Sequence, residues 1–170
     1  TGGYFGIDPN EWLISDAFER ELGSSIKAIK QPRFRSNADF RCDVFDTDFD
    51  FIVAQSIITH CGAAATRKLI AEAARVLRPE GKFIFSIIES SDRHAIPAEE
   101  EWIYPRCVEY GAATLEAICG EVGLLCHRLP WYHPGAVWFM AARSTSQLPG
   151  IHEMPLLTGA VLFDPQFRRS

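Results

Sequence analysis

Val76-Leu77-Arg78-Pro79-Glu80-Gly81-Lys82-Phe83-Ile84-Phe85 is the stretch where the chain changes its period. Before it, over residues 63–77, Leu69, Ala73, Val76 and Leu77 form one apolar stripe, while Arg67, Lys68, Glu72 and Arg75 are left to water. That spacing predicts an amphipathic helix. Pro79 cannot continue a helix and Gly81 permits a positive φ, so residues 78–81 are expected to stop it. Residues 82–88 then read as a strand. Upstream of the helix, Phe49-Asp50-Phe51-Ile52-Val53-Ala54-Gln55 is a mostly continuous apolar run, expected for a parallel strand buried on both faces.

The same alternation continues outward. Residues 3–7 form a short apolar run closed by Asp8 and Pro9, followed by Ile14, Phe18 and Leu22 at helical spacing. The expectation is strand, turn and a helix over about 10–22, with Pro9 suited to its first turn and Gly23 ending it in the left-handed region. Residues 27–36 have no clean period and read as a loop with a short strand near Phe34. Residues 90–110, with Ser91, Asp92, Arg93, His94, three consecutive glutamates, Trp102 and Tyr104, are irregular enough to be expected as a functional segment or lid. Leu115, Ile118, Cys119 and Val122 mark a helix over 112–122 with Gly123 as its stop. Strands over 124–132 and 136–142, separated by Pro134-Gly135, read as an antiparallel hairpin. The fold class is therefore α/β, a mostly parallel sheet with a C-terminal antiparallel hairpin. Residues 1–143 are expected as one domain and 144–170 as a tail or extra edge element.

Composition narrows the function. The chain has 170 residues, 47% hydrophobic and 23% charged, as in ordinary globular proteins. A formal net charge of -5 leaves no basic footprint for phosphates, so no nucleic acid partner is expected. No apolar stretch approaches the ~20 residues that span a bilayer, so no membrane partner is expected either. Cys42, Cys61, Cys107, Cys119 and Cys126 are scattered without a C-x-x-C pair and read as reduced thiols, consistent with a cytoplasmic protein. Residue 1 is Thr, so translation is expected to begin upstream of it.

Asp8 closes an early strand, where a carboxylate can accept hydrogen bonds from both hydroxyls of a ribose. An Asp before Pro is equally an ordinary helix cap. The order of four segments decides between these: Tyr4-Phe5-Gly6-Ile7-Asp8, then Asn37-Ala38-Asp39-Phe40, then Phe49 to Ser56, then Val76 to Phe85. Over residues 3 to about 143 this order resembles class I S-adenosylmethionine-dependent methyltransferases of the small-molecule type. The resemblance implies a Rossmann-like sheet in the order 3-2-1-4-5-7-6, with S-adenosylmethionine over the carboxyl ends of the strands. Asp8 would then bind ribose, Asp39 with Phe40 the adenine edge and face, Gln55 and Ser56 would lie near the sulfonium, and Asn37 would also contact the cofactor. One departure is plain. The family's first strand and its glycine-rich loop do not precede Gly3, which would leave two strand edges unpaired unless an upstream segment or another chain completes the sheet.

Methyl transfer rests mostly on positioning, with a base where the acceptor must lose a proton. His60 and His133 are the candidate bases, and Trp102, Tyr104 and Trp131 the candidate contacts to a small-molecule or cell-surface precursor acceptor. Each has a plainer reading: Phe40 as a core aromatic, Asp39 as a solvated charge, Gln55 and Ser56 as a strand end, the histidines as surface residues. His127 with His133 lacks a third ligand, so no metal site is expected. The rival readings are a non-catalytic binding or assembly subunit of the same fold and a nicotinamide-dependent Rossmann enzyme, the latter matching the 77–81 turn and final hairpin less well.

Overall fold

The computed structural model describes residues 2–21 and 23–158. The chain divides into two units, one ending at Thr47 and the other beginning at Asp48.

In the first unit, strand β1 (Phe5–Ile7) leads to helix α1 (Glu11–Asp16), a π-helical turn over Ala17–Glu21, helix α2 (Gly23–Lys30) and strand β2 (Arg33–Arg35). β1 and β2 pair in parallel with Gly6 opposite Phe34. A Cβ on Gly6 would fall 2.4 Å from the Phe34 ring, so the glycine is what lets that ring lie across the strand. Phe18 meets Phe34 edge-on at 4.9 Å, and the Arg33 guanidinium lies 4.2 Å from the Phe5 ring centroid. The expected strand near Phe34 is present. Gly23, however, opens α2 instead of ending the first helix, so the helix reaches into the expected loop of 27–36. A glycine costs a helix least at its first residue, before the ladder that its entropy would weaken. The expected end at Leu22 lies outside the described residues.

The second unit holds a five-stranded sheet. Strand β3 (Phe49–Ala54) is followed by helix α3 (Ala63–Val76), strand β4 (Leu77–Glu89), the short strand β5 (Glu109–Tyr110), helix α4 (Ala112–Glu121), and strands β6 (Leu125–Leu129) and β7 (Val137–Ala142). The order is β3-β4-β7-β6, with β5 pairing β4. β3 and β5 run parallel to β4, and β7 is antiparallel to both β4 and β6. The antiparallel hairpin is thus as expected, although residues 130–136 connect it in place of a two-residue turn. Gly123 ends α4 with φ 75°, a conformation that a side chain would strain.

The 76–85 stretch differs from its reading. α3 ends when Leu77 turns extended (φ −80°, ψ 128°), and β4 begins at that same residue. Arg78 to Gly81 are not a turn but an irregularity within the strand: Phe49 pairs with Leu77 and Phe51 with Lys82. Arg78 spans the irregularity to Asp50 at 3.0 Å. Gly81 is required by close approach, since a Cβ would lie 2.8 Å from the Phe49 carbonyl oxygen, and not by a positive φ.

The two faces of this sheet are covered differently. Phe83, Phe85 and Ile87 on β4 are fully buried with Phe139 of β7, whose ring stacks on Phe85 at 5.8 Å. On the opposite face, Ile84, Met140 and Leu129 are packed under Trp131, Trp138, Leu148 and Leu157. The expected tail therefore docks on the sheet through its first part. Arg143 donates to the Ala74 carbonyl and Gln147 to that of Pro79, both at 2.7 Å. β3 lies at an edge of this sheet, and Phe51 and Val53 are 62% and 61% exposed, so the expectation of burial on both faces does not hold there. β3 has β4 as its one strand neighbour among the described residues, and β1 has β2.

Candidate functional site

The first unit carries four of the candidate residues. Asp8 follows β1, and its Oδ1 accepts from the Asn10 amide at 2.7 Å. That bond closes a turn ahead of α1 and does not cap it, since the N-cap is Asn10 and has no side-chain bond; it occupies one of the carboxylate's roughly four acceptor positions. Asn37 donates from Nδ2 to the Arg41 carbonyl at 3.0 Å, while its Oδ1 is buried without a hydrogen-bond partner. An orphaned buried acceptor costs free energy unless something donates to it. Phe40 sits in the left-handed region with φ 62°, a conformation that a bulky residue holds only where its surroundings impose it. Asp39 is half-buried beside it. A recess of about 500 Å³ elsewhere in this unit is lined by Gly2, Gly3, Ile29, Lys30, Gln31 and Arg33 and holds none of the candidate residues.

In the second unit, β3 ends at Ala54, one residue earlier than expected, and Gln55 and Ser56 form the turn beyond it. Ser56 has φ 55° and is held from both sides: its amide donates to Ser86 Oγ at 2.7 Å, and its carbonyl accepts from Thr59 Oγ1 at 2.9 Å. Its backbone is thus committed to the protein, which leaves the hydroxyl for a ligand. Ser86 is fully buried in β4, and the sequence signal for it was a lone polar residue inside Phe83-Ile84-Phe85-Ser86-Ile87-Ile88.

Residues 90–110 are anchored as a strap through their backbone. Their carbonyls satisfy the amides at two helix N-termini, which otherwise lack partners. Gly62, Ala63 and Ala65 at the start of α3 donate to Glu101, Glu99 and Glu100, and Ala113 and Thr114 at the start of α4 donate to Arg93. Two glycines make room for this. A Cβ on Gly62 would lie 2.4 Å from the Glu99 carbonyl oxygen, and one on Gly111 would lie 2.2 Å from that of Arg93. The strap closes on the buried Tyr110, whose hydroxyl donates to the Cys61 carbonyl at 3.0 Å and meets Thr66 Oγ1 at 2.8 Å. Burial pushes the Tyr110 hydroxyl and the Cys61 thiol each up to about 12.

The strap brings three candidates together. Ile103 N donates to the His60 carbonyl and Val108 N to that of Thr59, which fixes the strap against the 3-10 turn Ile58–His60. The His60 ring then lies 5.6 Å from Trp102 and 5.0 Å from Tyr104, centroid to centroid. His60 Nδ1 is 2.7 Å from the Arg106 carbonyl oxygen and 3.8 Å from Cys107 Sγ. No residue pattern points to Arg106, because its contribution is a backbone carbonyl.

The other two candidates lie apart from this cluster. Trp131 packs on the Ile84–Leu129–Met140 group, edge-on to Trp138 at 6.0 Å, with Nε1 buried and without a hydrogen-bond partner. His133 meets Trp138 at 5.9 Å, and its Nδ1 accepts from Gly135 N at 3.2 Å. No group of three or more potential metal-ligating side chains occurs among the described residues. No helix among them is long and apolar enough to cross a membrane.

Residues 3–85 match the family model of a methyltransferase domain, a span that includes Asp8, Asn37, Asp39, Phe40, Gln55, Ser56 and His60. No curated protein matches the sequence. The glycopeptide N-methyltransferase MtfA complexed with (S)-adenosyl-L-homocysteine is similar in structure, with a TM-score of 0.60 at 14% identity over 81% of this chain and 72% of MtfA. Magnesium protoporphyrin IX methyltransferase (ChlM) from Synechocystis PCC 6803 with bound SAH gives 0.59 at 15% identity over 82% of this chain. The chain spans 64% of ChlM, less than two thirds of its length. At these identities the likeness carries the fold alone. The match over residues 3–85 is to a methyltransferase domain, and the fold of the chain is that of the class I S-adenosylmethionine-dependent methyltransferases it resembles.

Proposed function

We propose that this chain transfers a methyl group from S-adenosylmethionine to a small-molecule acceptor. The observation that carries the reading is the family match over residues 3–85, which takes in every residue put forward for the cofactor. The residues fit that group chemically. Ribose hydroxyls and the adenine amine are donors, and Asp8 keeps acceptor capacity beyond its bond to Asn10, as does the orphaned Oδ1 of Asn37. Phe40 and Asp39 supply a ring face and a second carboxylate next to Asn37. Gln55, exposed at the end of β3, and the Ser56 hydroxyl supply polar groups on the side of the sheet where open α/β folds bind ligands.

When bound, S-adenosylmethionine supplies a sulfonium methyl for in-line displacement. The chain's own part is to hold and orient the acceptor and to keep water away, which accounts for most of the rate in such a reaction. Trp102 and Tyr104 present apolar area for that purpose, on a strap whose backbone is already fixed. Calorimetry with S-adenosylhomocysteine tests the reading: Asp8→Ala is expected to weaken binding by about 1.5–3 kcal/mol, the scale of hydrogen bonds to a charged group. An unchanged affinity leaves Asp8 with its turn-closing bond to Asn10 alone. No binding by the wild type moves the chain to the non-catalytic reading.

A further inference from the structure

We propose that His60 Nε2 is the proton acceptor of the reaction and that the acceptor substrate is a planar aromatic hydroxyl seated against Trp102 and Tyr104. The inference rests on the methyl-transfer reading and deepens it.

The argument begins with the two histidines. A carbonyl oxygen can only accept, so the 2.7 Å contact between His60 Nδ1 and Arg106 O requires the proton on Nδ1. In the neutral ring Nε2 is then bare, with its lone pair available as a base. The Cys107 thiol, 3.8 Å from Nδ1, is the weaker contact there and does not reverse the assignment. His133 is arranged in the opposite sense. Its Nδ1 accepts from Gly135 N, so its neutral ring carries the proton on Nε2. Of the two candidate bases, His60 is the one whose neutral ring leaves Nε2 without a proton, and the Arg106 carbonyl is the positioning group.

The substrate class follows from what surrounds the His60 ring. Trp102 and Tyr104 are 47% and 65% exposed, nearly parallel at 19°, and both pack against the His60 ring. Large flat apolar faces left in water beside a base suit a flat apolar partner, which gains stacking and area burial together. An aromatic hydroxyl combines that plane with a proton that leaves far more readily than one on an aliphatic hydroxyl, within reach of an imidazole. Arg106 pairs with Glu99 and Arg93 with Glu116, while Glu100, Glu101 and Glu109 on the strap disfavour an acceptor with its own carboxylate. In the step, the aromatic O–H bond breaks and its proton forms an N–H bond at Nε2. The oxygen's electron pair forms the new O–CH3 bond, and the pair of the broken S–CH3 bond stays on sulfur.

The test uses 2-naphthol as the probe and has three readouts. Long-range proton–nitrogen NMR is expected to show His60 protonated at Nδ1 and bare at Nε2, with His133 reversed; a His60 protonated at Nε2 overturns the proposal. 2-Naphthol is expected to perturb His60 and Trp102 signals, and Trp102→Ala to weaken its binding at least about tenfold; equal affinity for the two proteins overturns it. With S-adenosylmethionine present, His60→Gln is expected to lower kcat for 2-naphthol about 100-fold, the low end for general-base loss, with S-adenosylhomocysteine affinity unchanged. A kcat within about threefold of wild type overturns it. If His60→Gln does not fold, the first two readouts on wild type and Trp102→Ala still decide. Failure of wild type to bind S-adenosylhomocysteine counts against methyl transfer, whereas failure of the tautomer or naphthol readouts counts against this proposal alone.

Discussion

The unit that begins at Asp48 makes its own core, and the unit that ends at Thr47 does not. In the former, Phe83, Phe85, Ile87, Tyr110, Leu115 and Phe139 are exposed by 1% or less, drawn from strands and helices that enclose them. In the latter, Phe45 at 7% is the one buried hydrophobic residue among those described, and the rest is a two-stranded ladder with rings meeting edge-on. A two-stranded pair is marginal by itself in water. The difference teaches that the candidate cofactor residues Asp8, Asn37, Asp39 and Phe40 stand on a scaffold with little stability of its own, and His60, Trp102 and Tyr104 on a rigid one.

The largest expected effect is the direct test of that contrast. Phe85→Ala removes a fully buried ring and is expected to cost about 3–5 kcal/mol in urea unfolding. Phe34→Ala removes a half-buried ring from the first unit and is expected to cost about 1 kcal/mol. Equal costs would break the comparison.

Next is the strap. Gly62→Ala sets a Cβ 2.4 Å from the Glu99 carbonyl oxygen and 2.5 Å from the Glu100 carbonyl carbon, backbone atoms that cannot rotate away. The strap must lift, and the α3 amides lose their acceptors. About 3 kcal/mol is the expected loss. Hydrogen exchange should localise it to Gly62, Ala63 and Ala65; protection retained at those amides would show that the strap yields at little cost.

The third effect depends on pH. The Cys61 thiol, held protonated by burial, titrates near 12 in the folded chain against 9.0 ordinarily, and the Tyr110 hydroxyl near 12 against 10.0. Below about pH 9 both are neutral in folded and unfolded chains, and the full contribution is present. As pH rises from about 9 to 12 the unfolded chain binds fewer protons than the folded one, so stability falls, by up to about 1.4 kcal/mol per pH unit for each proton. Cys61→Ala should flatten the alkaline limb of the unfolding midpoint between pH 9 and 11. An unchanged limb would place the loss elsewhere.

How much of this was legible follows from what period and composition record. The 63–77 stripe, the 82–88 strand and the final hairpin were readable because burial on one or both faces writes itself into apolar spacing. The irregularity at 78–81 was not, since Pro79 and Gly81 mark a turn and a strand bulge alike, and only the Phe49 carbonyl pressing on Gly81 distinguishes them. The strap was readable as irregular but not as fixed, because its anchors are carbonyls, which every residue has. His60, Trp102 and Tyr104 were each named from type and position. Their meeting at 5.0–6.5 Å comes from the strap's return to the Ile58–His60 turn, a long-range event no local pattern encodes.

The smallest expected effect is the most informative about function. Trp102 and Tyr104 rest on the strap's surface with about half or more of each side exposed, so removing either ring returns little buried area to water. Backbone carbonyls of Glu99, Glu100 and Glu101 hold the strap, and those bonds survive a change of side chain at 102 or 104. Trp102→Ala and Tyr104→Ala should therefore shift the unfolding free energy by no more than about 0.5 kcal/mol, as surface substitutions do. Trp102 and Tyr104 lie side by side, and large apolar rings left together in water on an anchored backbone mark a binding surface more than a folding element. A loss of about 2 kcal/mol or more from either would make the pair structural, would tie the strap's order to side-chain packing, and would remove the reason to read these rings as the acceptor's seat.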